Sequence, residues 1–182
     1  MSMTIQEAIE KYRRSLEVET DSVSCFGITP RLAAGCPLTT EQLELLNTLN
    51  NGIISQEGSK KQETFYRGTS WQLLKNYPLL KPFVYRPFFS ASRDIAEACR
   101  FLNKVDPVLL KIESPSGQKY LDVSCADIAT LENQEVLFQS GLTIKISEAS
   151  FSDLDEMQQI ALQFCCIHTD IKLFQMQIMT NI

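Results

Sequence analysis

From Gln62 onward, strand-like runs follow one another so closely that most of them must pair antiparallel. QETFYRG (62–68), FFSAS (88–92), PVLLKIE (107–113), KYLDVS (119–124), QEVLFQ (134–139) and LTIKISEA (142–149) are short and rich in β-branched, aromatic or aliphatic residues. Turn signals separate the later ones, PSGQ at 115–118 and Ser140-Gly141. Parallel neighbours need a crossover of about a dozen residues or more, and most of these gaps are shorter. A helix over Arg93–Asn103 interrupts the series, with Asp94 near its start and Ile95, Ala98, Phe101 and Leu102 on one side. The apolar stretch 160–179 reads as two strand-like halves meeting near Thr169-Asp170.

The first third has a different period. Ile5, Ala8, Ile9, Tyr12 and Leu16 recur at helical spacing, with Thr4 and Glu7 forming a capping-box pattern. A second helix opens at Thr39 or Thr40, carries Leu43, Leu46 and Leu49, and is expected to stop at Asn50-Asn51-Gly52. Residues 19–37 hold glycines and prolines and residues 78–87 hold three prolines, so both read as loops. Helices first and hairpin-linked strands after make an α+β chain. Its 182 residues suit one domain, with an N-terminal helical part (1–60) and a β core (61–182).

A net charge of −5 argues against a nucleic-acid binder. Lys11, Arg13 and Arg14 read as a solvated face of the first helix. The six cysteines form no CxxC pair and His168 is the only histidine, so no zinc set is expected, and the thiols read as reduced and mostly buried. His168 sits in an apolar run and reads as structural. No apolar run reaches the roughly 18 residues of a membrane span, and MSMTIQEAIEKYRRSLE lacks the pattern of a secretory signal.

Three motifs carry the chemistry. Tyr66-Arg67-Gly68 ends a strand, Ser90-Ala91-Ser92 ends another ahead of a helix, and Asn133-Gln134-Glu135 enters a third. Each alone has an ordinary reading: a solvated arginine, a helix cap, the polar face of an edge strand. As an ordered set, with the flanking strands in place over residues 62–148, they resemble the Arg-Ser-Glu ADP-ribosyltransferases.

That resemblance implies a fold of two packed, mainly antiparallel sheets with N-terminal helices beside an NAD cleft. It implies NAD as substrate with no metal, a protein target of the host, a monomer, and a secreted effector working in host cytosol. Arg67 would donate paired hydrogen bonds to the pyrophosphate, a geometry lysine lacks. Gly68 would let the main chain approach nicotinamide. Ser90 would orient the catalytic glutamate, and Ser92 would add a bond or cap the helix. Tyr66 would stack on nicotinamide or pack in the core. Glu135 would hold a ribose hydroxyl and stabilise the oxocarbenium-like charge that grows as the glycosidic bond breaks.

Two positions depart from the family pattern. Ala91 stands where threonine is usual, with its side chain expected to face away from the serines. Asn133 stands where relatives that modify arginine carry glutamate, so an acceptor other than arginine is expected unless Glu132 serves instead. CADIATLEN (125–133) lacks the aromatic residue common there, leaving Ile128 or Leu131 either to contact a target or to staple the loop to the core. NAD glycohydrolysis and a catalytically silent binding domain are the alternatives.

Overall fold

The computed structural model describes residues 3–13, 25–123, 135–155, 159 and 171–179. Cys125, Ile128, Leu131, Glu132, Asn133, His168 and Arg14 lie outside them, as do Cys165 and Cys166.

Three helices come first: α1 (Ile5–Arg13), α2 (Cys25–Ala34) and α3 (Thr40–Ile54). The capping box on α1 is made, with the Thr4 amide and hydroxyl both on the Glu7 carboxylate at 2.8 Å. Thr39 caps α3 through a reciprocal box with Gln42. Two expectations fail here. Helix α3 runs past Gly52 to Ile54, and Gly52 leaves room for the Ile5 side chain of α1, which a Cβ there would overlap. Part of the expected 19–37 loop is α2, which ends at Gly35 in the left-handed region (φ +68°), with the Cys36 amide bonded back to the Arg31 carbonyl.

The strands are β1 (Glu63–Ser70), β2 (Phe83–Tyr85), β3 (Phe89–Ser92), β4 (Pro107–Ser114), β5 (Tyr120–Asp122), β6 (Glu135–Phe138), β7 (Leu142–Ala149) and β8 (Lys172–Ile178). Short helices α4 (Trp71–Leu74) and α5 (Ile95–Cys99) lie between them. Strand β2 falls inside the stretch read as a loop, pairing with β7. Helix α5 ends at Cys99, short of the expected Asn103, and Asp94 rather than Ser92 accepts the Ala96 amide at its start.

The order is β2-β7-β8-β4-β1-β3-β6-β5, antiparallel except for β4–β8. Only Tyr66↔Ser92 joins β1 to β3, so a five-strand half and a three-strand half meet at a single residue pair. The halves share one core: Phe89 stacks on Phe138, Phe65 meets Phe138 edge-on, and Tyr85 of β2 reaches Phe89. Arg93 adds a fastener across the split. Its guanidinium lies 5.3 Å from the ring centres of both Phe65 and Tyr120 and donates to the Tyr120 hydroxyl, which donates to Glu63. Burial and that donation raise the Tyr120 pKa.

Strand alternation sorts the other face. Val136 and Phe138 enter the inter-strand core, whereas Leu137 and Phe88 pack with Ala8, Tyr12, Leu45 and Leu49 of the helices. This layer brings the C-terminal end of α1 to the split between β1 and β3.

Candidate active site

Pairing between β1 and β3 stops after Tyr66↔Ser92, and a cavity of about 160 Å³ opens where the strands part. Arg67, Gly68, Ser90, Ser92 and Glu135 all line it. Asn133 lies outside the described residues.

The period of β3 explains the serines. Phe89 and Ala91 point into the core, so Ser90 and Ser92 face the cleft together. Ala91 is buried, as expected for a position whose side chain turns away from the site. Glu135 opens β6 directly opposite Ser92, so its side chain emerges on the same face.

Arg67 bridges the parted strands. Its Nη1 donates to the Ser90 carbonyl at 2.6 Å and to the Ser90 hydroxyl at 3.3 Å. The Ser92 hydroxyl accepts from the Asp94 amide at 3.0 Å, an arrangement that turns the chain into α5. The Glu135 carboxylate meets Arg13 of α1, Nη2 to Oε2, at 3.0 Å. Arg13 also donates from Nη1 to the Val123 carbonyl at 2.7 Å.

Gly68 serves packing in the described structure. A Cβ there would overlap the Ala98 carbonyl oxygen and crowd the main chain of Phe101 and Leu102. The turn after α5 therefore lies directly on β1 and forms one cavity wall. Tyr66 is buried among Ile95, Ala98 and Leu109, and it too borders the cavity.

Arg13, Glu97, Ala98 and Phe101 also line the cavity, beyond the residues that the motifs name. Arg13 is not part of a solvated face: it turns into the cleft, while Lys11 pairs with Glu41 of α3. Phe101 was expected on the packed side of a helix. It falls beyond the end of α5, 71% exposed, at the cavity edge. Glu97 lines the cavity and pairs with Arg100 at 3.1 Å. The only local hint was Phe101's place near the end of a weak helical period.

Cys36 is exposed and Cys99 buried, both as free thiols, so the expectation of burial fails at Cys36. Among the described residues no group of three or more His, Cys, Asp or Glu side chains could hold a metal ion, and no helix is long and apolar enough to cross a membrane.

No protein-family model and no curated protein sequence matches the chain. Solved structures do. Plx2a, an ADP-ribosyltransferase toxin from Paenibacillus larvae, aligns with a TM-score of 0.64 at 12% identity, over 96% of this chain and 87% of that one. An ADP-ribosyltransferase from Clostridium botulinum aligns with a TM-score of 0.62 at 15% identity, over 96% of this chain and 85% of that one. Exoenzyme S from Pseudomonas aeruginosa, solved with human 14-3-3 protein beta and carba-NAD, aligns with a TM-score of 0.57 at 13% identity. That match spans 83% of this chain and 66% of the exoenzyme. By topology and by these alignments, the chain has the fold of the bacterial ADP-ribosyltransferase toxins.

Proposed function

We propose that the chain is a mono-ADP-ribosyltransferase that moves ADP-ribose from NAD to a side chain of a target protein. The observation that carries this reading is the convergence of Arg67, Ser90 and Glu135, distant in sequence, on one cavity at the parted strands.

The donor set suits the substrate. Arg67 has one nitrogen committed to Ser90, and its guanidinium offers further N–H groups for a pyrophosphate. Phe101 presents an exposed aromatic face at the cavity edge, suited to an aromatic ring such as nicotinamide. Ser90 and Ser92 supply hydroxyls on the side from which Glu135 projects.

In the reaction the bond between the ribose C1″ and the nicotinamide nitrogen breaks, and its electron pair leaves with nicotinamide. Positive charge grows on the ribose. The Glu135 carboxylate stabilises that charge and holds a ribose hydroxyl, a preorganised electrostatic role. The acceptor atom then bonds C1″ and releases its proton. With Asn133 in place of a second glutamate, the favoured acceptor is a side chain other than arginine; arginine is the alternative if Glu132 serves in that place.

Plx2a is an ADP-ribosyltransferase toxin, and exoenzyme S was solved in complex with a human protein. A secreted effector acting on a host protein in host cytosol is the matching role. Incubation with labelled NAD and host lysates, wild type against Glu135→Ala, tests the reading. A discrete labelled band that the variant loses supports it, and mass spectrometry of that band identifies the acceptor. Nicotinamide release without protein label would make the chain an NAD glycohydrolase. Absence of NAD binding would leave a silent domain.

A further inference from the structure

Among the described residues, the side chain that pairs with the Glu135 carboxylate belongs to the N-terminal helix. Arg13 Nη2 lies 3.0 Å from Oε2, and its Nη1 donates to the Val123 carbonyl at 2.7 Å. The Val123 amide in turn donates to the Glu135 carbonyl at 3.0 Å. Arginine, junction and carboxylate thus close into one hydrogen-bonded ring, and the fork of the guanidinium fixes their relative orientation.

We propose that Arg13 is a positioning residue that holds the Glu135 carboxylate toward the cleft. This rests on the reading of Glu135 as the group that stabilises charge on the ribose.

Three observations support the assignment. First, among the described residues neither serine hydroxyl is bonded to Glu135: the Ser90 hydroxyl accepts from Arg67 and the Ser92 hydroxyl from the Asp94 amide. The orienting task that the resemblance gives to Ser90 falls here to Arg13. Second, Arg13 is itself held in place. Tyr12 beside it is buried against Phe88, ring centres 5.6 Å apart, in the layer that also takes Leu137 of β6. Helix and strand are thereby locked in register two residues from Glu135. Third, the pair is a poor contributor to stability. Both side chains keep about a quarter of their exposure, 28% and 26%, and ion pairs so exposed add little to folding. A glutamate at the first position of a strand would otherwise sample several rotamers, and loose placement of a reacting group costs rate.

The test is a kinetic double-mutant cycle on nicotinamide release from NAD, using the full chain with Arg13→Met, Arg13→Lys, Glu135→Gln and the Arg13→Met/Glu135→Gln double variant. Arg13→Met should lower kcat roughly ten- to a hundred-fold with KM for NAD unchanged. Arg13→Lys should recover part of the loss, since an ammonium keeps the charge but cannot bridge carboxylate and carbonyl in one plane. In the Glu135→Gln background Arg13→Met should add nothing. A raised KM with kcat intact, or losses that multiply in the double variant, would overturn the proposal by showing that Arg13 acts independently of Glu135. Amide exchange reads the contact without activity: the Val123 N–H should exchange faster in Arg13→Met, and unchanged exchange also overturns it. A wild type that releases no nicotinamide, yet shows the exchange effect, would refute the enzyme reading while leaving the contact in place. A wild type that depends on Glu135 but is indifferent to Arg13 would refute the positioning role alone.

Discussion

Replacing Gly68 with alanine probes how the cleft wall is built. The added Cβ would overlap the Ala98 carbonyl oxygen and lie 2.8 Å from the Leu102 nitrogen and 2.9 Å from the Phe101 carbonyl carbon. All three are main-chain atoms, so no rotamer change relieves the crowding. The turn 98–102 must move off β1. Forcing a methyl-sized group into packed structure costs about 1–3 kcal/mol. For a chain of this length each kcal/mol lowers the melting temperature by roughly 2–4 °C. A loss of about 4–8 °C follows for a cost near 2 kcal/mol. Because Phe101 rides on the same turn and edges the cavity, the rate of nicotinamide release should fall as well. Gly141→Ala is the control. Gly141 has φ +80° with no heavy atom near its missing Cβ, so alanine there costs backbone strain of about 1–2 kcal/mol and leaves the cleft untouched. Thermal unfolding by circular dichroism and a nicotinamide-release assay read both effects. A Gly68→Ala protein that melts with the wild type would refute the close packing of the turn on β1. One that loses stability but keeps full activity would remove the turn and Phe101 from the working cleft.

Arg67→Lys keeps the charge but loses the fork that reaches Ser90. NAD affinity measured by titration should weaken about ten- to a hundred-fold, the worth of charge-assisted hydrogen bonds of roughly 1.5–3 kcal/mol. Tyr77 stacks on Phe83, and burial pushes its phenol up to about 12. The unfolded chain releases that proton near pH 10, so the stability it contributes is present below pH 10 and is lost as pH rises from 10 through 12. Denaturant unfolding across that range should show a steeper alkaline decline in wild type than in Tyr77→Phe.

Short apolar runs bounded by turn signals made much of the β core legible. In PVLLKIE, EVLF and TIKI the apolar positions are dictated by the faces they bury, and the structure has β4, β6 and β7 there. Helix α2 was hidden because Pro30, Gly27 and Gly35 look like loop residues. Gly35 is instead the left-handed stop of that helix. Strand β2 has three residues and β7 as its partner, too short for any period to register. The parallel β4–β8 pairing joins segments far apart in sequence, which local pattern cannot report.

The same division runs through the site. Arg67, Ser90 and Glu135 could be named because motif order and strand ends place them. Arg13 could not, since its direction depends on how α1 docks over Phe88 and Leu137. Phe101 was misplaced because the helical period carries on past the point where α5 stops.

The most direct measurement is NAD cleavage by Glu135→Gln, which keeps the side chain's shape and removes its charge. The release of nicotinamide should fall by roughly a hundred-fold or more, while NAD still binds and the melting temperature holds. A variant that cleaves NAD at the wild-type rate would contradict the assignment of the cleft between β1 and β3 as the site of the reaction.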